Sequence, residues 1–239
     1  MKRYRESRNA LAQVFCPIRC CIVASLLALL FLIAGCTSSS EEGAQNDDTE
    51  EEPVTFVGEV LDVKAFVAVT VKQAEDGREV RAYLSDGKQI NEWFIGPADG
   101  NTFDLTSEGK ARIEGNLTRQ TATGTIALAD GTSLPFEAKP ATGVGGFYIV
   151  SLTDEGQVSG DSATGARLEG QLDRQAEKSG YYPVTGTITP SGRRSQNFDA
   201  YSSTTEPNAF LLVVLPDGRI KGGSTKGGGV GFVDPTDVP

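Results

Sequence analysis

Ala111-Arg112-Ile113-Glu114-Gly115-Asn116-Leu117-Thr118-Arg119-Gln120, followed by Gly124-Thr125-Ile126-Ala127-Leu128, decides the fold. Ile113, Gly115 and Leu117 alternate with Arg112, Glu114 and Asn116, a period of two that sends the two sets to opposite faces of a strand. The same pattern returns as Ala166-Arg167-Leu168-Glu169-Gly170-Gln171-Leu172-Asp173-Arg174-Gln175, followed by Gly186-Thr187-Ile188, with seven of ten paired positions identical. Turn chemistry alone does not repeat Glu-Gly-x-Leu-x-Arg-Gln, so the match reads as a duplicated hairpin unit.

Working outward, short apolar stretches rich in β-branched and aromatic residues run from Thr55-Phe56-Val57 through Ala65-Phe66-Val67-Ala68-Val69 to Phe210-Leu211-Leu212-Val213-Val214. Asp76-Gly77, Asp86-Gly87, Asp130-Gly131, Glu155-Gly156 and Asp217-Gly218 punctuate them, and such pairs tolerate the positive φ of tight hairpin turns. A second echo is an apolar strand led by Phe66, Phe147 or Phe210 and closed by an acid and a glycine. No amphipathic helix is apparent in this part; residues 85–93 could hold one helical turn. The reading is all-β, an antiparallel barrel or sandwich of repeated hairpins with one face of each strand buried. The body spans residues 54–239, either merged or as duplicated halves 54–143 and 144–239, with residues 140–146 the only plausible internal boundary.

The chain has 239 residues and no histidine, which excludes Ser-His-Asp or Cys-His activation and the commonest metal ligand. Charge is uneven. Residues 1–35 carry five bases against one acid, net +4, and the rest carries 17 bases against 31 acids, net −14. The run Cys21-Ile22-Val23-Ala24-Ser25-Leu26-Leu27-Ala28-Leu29-Leu30-Phe31-Leu32-Ile33-Ala34 follows the basic start. As a helix it spans roughly 21 Å, short of the ~30 Å hydrocarbon core, and suits an export signal better than a permanent span. It ends Leu32-Ile33-Ala34-Gly35-Cys36, which resembles the lipobox of bacterial lipoproteins. That resemblance implies a signal peptide over residues 1–35, cleavage between Gly35 and Cys36, and diacylglyceryl and acyl chains such as palmitate on Cys36. Two or three chains anchor a protein stably where one does not. All four cysteines lie at or before position 36, so the mature body has no disulfide. Residues 36–53 read as the lipidated cysteine and a flexible linker, whose seven acids and lack of large apolar residues preclude a packed core.

The body itself resembles, through Val80-Arg81-Ala82-Tyr83-Leu84-Ser85-Asp86-Gly87, Glu92-Trp93-Phe94-Ile95-Gly96 and Val213-Val214-Leu215-Pro216-Asp217-Gly218-Arg219, β-rich domains of secreted or anchored bacterial proteins. The resemblance implies a fold class and an extracytoplasmic setting and transfers no catalytic residue.

Candidate sites are few. Trp93, beside Phe94 and Tyr83, offers an aromatic platform for a ligand, against the plainer role of filling a core or barrel end. Tyr181 and Tyr182, between Gly180 and Pro183, read as an exposed loop pair, against packing back on the sheet. Residues 222–229 lack the Lys-Ser/Thr order of a phosphate loop and read as a flexible hairpin connection. Asp99-Gly100-Asn101-Thr102-Phe103-Asp104 lacks Ca²⁺-loop spacing, and no other motif calls for a metal or a cofactor. Arg112 with Glu114, and Arg167 with Glu169, read as surface charge ladders. A mature chain at −14 repels nucleic acid. The expectation is a lipid-anchored, non-catalytic binding, adaptor or structural module on the extracytoplasmic side of a cell or outer membrane, held there by the lipid on Cys36, with an envelope protein or glycan as ligand. The runner-up is a surface hydrolase working through carboxylates or Ser/Lys, and a third reading is a passive spacer or assembly piece.

Overall fold

A computed structural model describes residues 52–227 and 229–239. The expected signal peptide over residues 1–35, its expected cleavage point at Gly35 and Cys36, and all but the end of the expected linker over residues 36–53 lie outside the described residues. The fold is all-β, built from hairpins that close into two eight-stranded antiparallel barrels. The first comprises β1 (Val54–Val60), β2 (Ala65–Ala74), β3 (Gly77–Ser85), β4 (Asn91–Asp99), β5 (Thr102–Thr106), β6 (Arg112–Leu117), β7 (Ala122–Ala127) and β8 (Ser133–Pro140) in simple meander order. β1 closes on β8, with Phe56 opposite Pro140 and Val57 opposite Lys139.

The second comprises β9 (Gly146–Leu152), β10 (Gln157–Ser162), β11 (Arg167–Leu172), β12 (Tyr182–Thr189), β13 (Gln196–Ser202), β14 (Asn208–Val214), β15 (Ile220–Ser224) and β16 (Gly231–Val233). Its order is β10-β11-β12-β13-β16-β15-β14-β9. After β13 the chain crosses to the far side of β9, returns as the β14–β15–β16 meander, and closes against β13 at Tyr201–Val233 and Ser202–Phe232. Two 3₁₀ turns, Leu61–Val63 and Pro235–Asp237, complete the described elements.

Eight strands enclose an interior that side chains can fill. Leu84, Phe94, Ile113, Ile126 and Leu134 fill the first barrel, and Tyr148, Leu168, Ile188, Phe210 and Phe232 the second. The sequence duplication maps onto β5–β7 and β10–β12 and extends to the turns. Ser107 Oγ accepts from Ala111 N at 3.1 Å, and Ser162 Oγ accepts from Ala166 N at 3.0 Å. Lys110 and Gly165 occupy the same left-handed position in these turns, at φ 66° and 74°. The rows Gly115–Gly124–Phe136 and Gly170–Gly186–Phe198 also correspond in register. A Cβ at Gly124 would lie 2.0 Å from Glu114 O, and one at Gly186 2.1 Å from Glu169 O, so the tight barrel wall requires glycine at both. Residues 173–181 replace the four-residue turn 118–121 of the first copy.

The one-face-buried expectation fails on β2, where Ala65 through Val71 are all buried. Ala65, Val67 and Val69 point into the first barrel, while Phe66 and Ala68 point outward to a third apolar cluster. Val57 and Tyr83 of the first barrel and Phe147, Val213 and Leu215 of the second complete this cluster, which joins the barrels. β15 is likewise buried throughout. Residues 86–90 form no helical turn, because Asp86 Oδ1 gathers the amides of Lys88, Gln89 and Ile90, each at 2.8 Å, into a side-chain-capped turn.

Candidate functional site

Where the outer faces of the barrels meet, a crevice of about 420 Å³ opens, lined among others by Asn91, Glu92, Trp93, Leu211, Ser224 and Lys226. Its position follows from strand register. Trp93 on β4 pairs with Tyr83 on β3, so both side chains project to the same outer face. Phe147 at the start of β9 meets them from the second barrel. The Trp93 and Phe147 rings stack at 5.2 Å with 28° between planes, and Tyr83 tilts against both, at 6.1 Å and 5.6 Å. Trp93 therefore fills neither barrel: it forms the half-buried edge of the junction.

Beneath this aromatic edge lies a polar clasp. The Tyr83 hydroxyl donates to Asn91 Oδ1 at 2.8 Å and accepts from Gly223 N at 2.7 Å. Asn91 Nδ2 donates to Ser224 O at 2.9 Å. Burial of the Tyr83 phenol pushes its pKa well above the ordinary tyrosine range, so it stays a neutral donor. Gly223 is required here, since a Cβ would lie 2.7 Å from the Asn91 amide carbon. Residues 222–224 are thus a packed strand rather than part of a flexible connection, and only residues 225–229 lie beyond β15.

On the crevice wall, Glu92 Oε2 accepts from Ser107 Oγ at 2.5 Å, and the exposed Lys226 also lines the crevice. The arrangement offers an aromatic edge, a carboxylate and an ammonium, which suits polar ligands carrying hydroxyl groups. Ser107 is 7% exposed and closes the turn that Ser162 closes in the second barrel, so its geometry is that of a turn former.

Tyr181 and Tyr182 do not join this site. Both are half-buried rather than an exposed pair: Tyr182 begins β12 and packs on the second core, its hydroxyl donating to Glu177 Oε2 at 3.4 Å. The Tyr181 ring carries Lys88 Nζ 5.9 Å from its centroid. Residues 99–101 make the β4–β5 turn. The charge ladders are present, Arg112–Glu114 at 3.5 Å and Arg167–Glu169 at 3.1 Å, and Arg112 also grips Asp104 at 2.5 Å. That guanidinium holds the exposed Asp104 carboxyl below its usual range.

Two other depressions are larger. One, of about 810 Å³, is a trough on the outer wall of β4–β7, lined by groups including Asp104, Glu114, Thr123 and Thr125. The other, of about 630 Å³, is a cup at one end of the first barrel, where Lys72, Arg78 and Arg119 surround Phe56, Val71 and Leu117. Neither draws groups from both barrels. Among the described residues, no group of three or more His, Cys, Asp or Glu could hold a metal ion, and no helix is long and apolar enough to cross a membrane. Asn91 and the pair Lys221–Asp237 were not candidates in the sequence, because their partners are distant along the chain, and Ser224 and Lys226 entered only within the stretch 222–229 read as a flexible connection. Compared with known protein families, curated proteins and solved structures, the chain finds no match.

Proposed function

We propose that the chain is a lipid-anchored protein of the cell envelope whose paired barrels form a non-catalytic binding module, with the Trp93 crevice as its site and a glycan as its ligand. The observation that carries the site is convergence: both barrel interiors are filled, and Trp93, Glu92 and Lys226 meet on one crevice at their junction. A sugar ring can set its C–H edge against the aromatic group while its hydroxyls reach the carboxylate and the ammonium. The anchor is supported by the basic start, the apolar run, Leu32-Ile33-Ala34-Gly35-Cys36 and the acidic linker. The hydrolase reading has its nearest candidate in Ser107 beside Glu92, and the matching turn at Ser162 favours a structural role for that serine.

The chain holds one tryptophan, so its intrinsic emission reports on this crevice alone. Titrating the full chain with cell-wall glycan fragments should shift Trp93 emission and raise the thermal midpoint. At 100 times Kd the stabilisation is about 2.7 kcal/mol. Glu92→Gln and Lys226→Ala should weaken both responses. Stabilisation by a peptide ligand alone, or by no fragment at all, contradicts the glycan assignment.

A further inference from the structure

We propose that the Lys221 amine and the Asp237 side-chain carboxyl condense to an intramolecular amide that staples the C-terminal segment to the second barrel. Lys221 lies on the outer face of β15, facing the first barrel, with its side chain 4% exposed; that of Asp237 is 11% exposed. Lys221 Nζ is 2.5 Å from Asp237 Oδ2 and 4.8 Å from the centre of the Phe66 ring. It donates one hydrogen bond, to the carbonyl of Lys64.

Asp237 is held in place from two sides. Lys88 Nζ donates to its backbone carbonyl at 2.9 Å. Asp234 caps the 3₁₀ turn that carries it, accepting from Thr236 N at 2.9 Å. Asp234 is itself 3% exposed and lines the same small cavity of about 280 Å³.

The satisfaction of polar groups separates this pair from an ordinary buried ion pair. A stable buried ion pair needs its remaining lone pairs and protons hydrogen-bonded. Here Oδ2 is buried and accepts no aligned hydrogen bond, not even from the nitrogen 2.5 Å away. Beyond that carboxylate, the nitrogen has one hydrogen-bond acceptor, Lys64 O, and an aromatic face. A secondary amide carries no charge and one N–H, which matches the Lys64 carbonyl, so the link removes a buried ion pair from this site.

The step balances within the pair. The ammonium passes a proton to the carboxylate, and the neutral amine attacks Cγ. The N–C bond forms, the C–O bond breaks, and the oxygen leaves as water with two protons from the former ammonium. The remaining N–H keeps its bond to Lys64 O. No oxidant or cofactor is consumed. Well-oriented intramolecular neighbours reach effective molarities of up to about 10⁵–10⁸ M, so holding the amine against the carboxyl lowers the barrier to a condensation that is slow between free molecules. The staple gives a body without disulfides a covalent loop from residue 221 to residue 237.

Trypsin digestion of the full chain, purified from its own membrane fraction, tests this by mass spectrometry. An acylated Lys221 is not cut. The expected product is peptide 220–226 joined to peptide 227–239, one water lighter than their sum, with fragmentation placing the link between Lys221 and Asp237. Lys221→Arg should release an unlinked 227–239. Recovery from the unaltered chain of a peptide ending at Lys221 and an unlinked 227–239 overturns the proposal, as does a link through Asp234.

Discussion

At the scale of single residues, the duplicated unit supplies its own control. Lys110 and Gly165 hold equivalent left-handed positions, but only the second is the residue that conformation favours. Left-handed backbone costs a side-chain-bearing residue about 1–2 kcal/mol. Lys110→Gly should therefore raise stability by about 1 kcal/mol in denaturant unfolding, after the glycine's greater unfolded-state entropy is offset. A buried phenol makes a second, pH-dependent test. Burial pushes Tyr148 up to about 12, and its hydroxyl donates to Val144 O at 2.8 Å. The folded pKa lies above the ordinary value of about 10, so this contribution is intact below about pH 10 and is lost as pH rises through 12. Alkaline titration should show Tyr148 and Tyr83 releasing their protons only together with unfolding. Smooth titration of every tyrosine near its ordinary value, with the fold intact, would contradict it.

At the scale of elements, the sequence was most legible where a strand has one wet face. β6 and β11 alternate as read, β5 and β8 show the same pattern, and Gly77, Gly87, Gly131, Gly156 and Gly218 all take the positive φ expected of their turns. Legibility fell where both faces are dry. Phe66, Phe147 and Phe210 look equivalent in sequence, yet the first two lie in the junction and Phe210 in the second core. A one-residue change of register moves a side chain between faces, and an unbroken apolar run does not reveal which register holds. Trp93 was legible as an aromatic candidate but its setting was not, because Phe147 reaches it only when the two barrels pack. The junction makes Phe66 a sensitive position: it is fully buried beneath Arg219 and Lys221, at 5.4 Å and 4.8 Å from its ring. Phe66→Ala should cost about 3–5 kcal/mol in chemical denaturation. A loss below about 1 kcal/mol, ordinary for a surface site, would mean that the barrels are not joined through this ring.

At the scale of the whole molecule, two filled barrels bring their outer faces together and leave a polar crevice beside the only tryptophan. Pairing across that junction was not readable from periodicity, since apolar residues that cover another barrel look the same as those that fill one. Arg219 illustrates how charge helps to join the halves: it sits on the β14–β15 turn and reaches Glu59 of the first barrel at 3.2 Å. The position of the body in the cell is a separate matter, and the anchor proposed above rests on residues 1–53. Intact-mass analysis of the protein recovered from its native membrane reads it directly. The account predicts a chain beginning at Cys36 that carries diacylglyceryl and an amino-terminal acyl group. A chain beginning at Met1 with an unmodified Cys36 would contradict it.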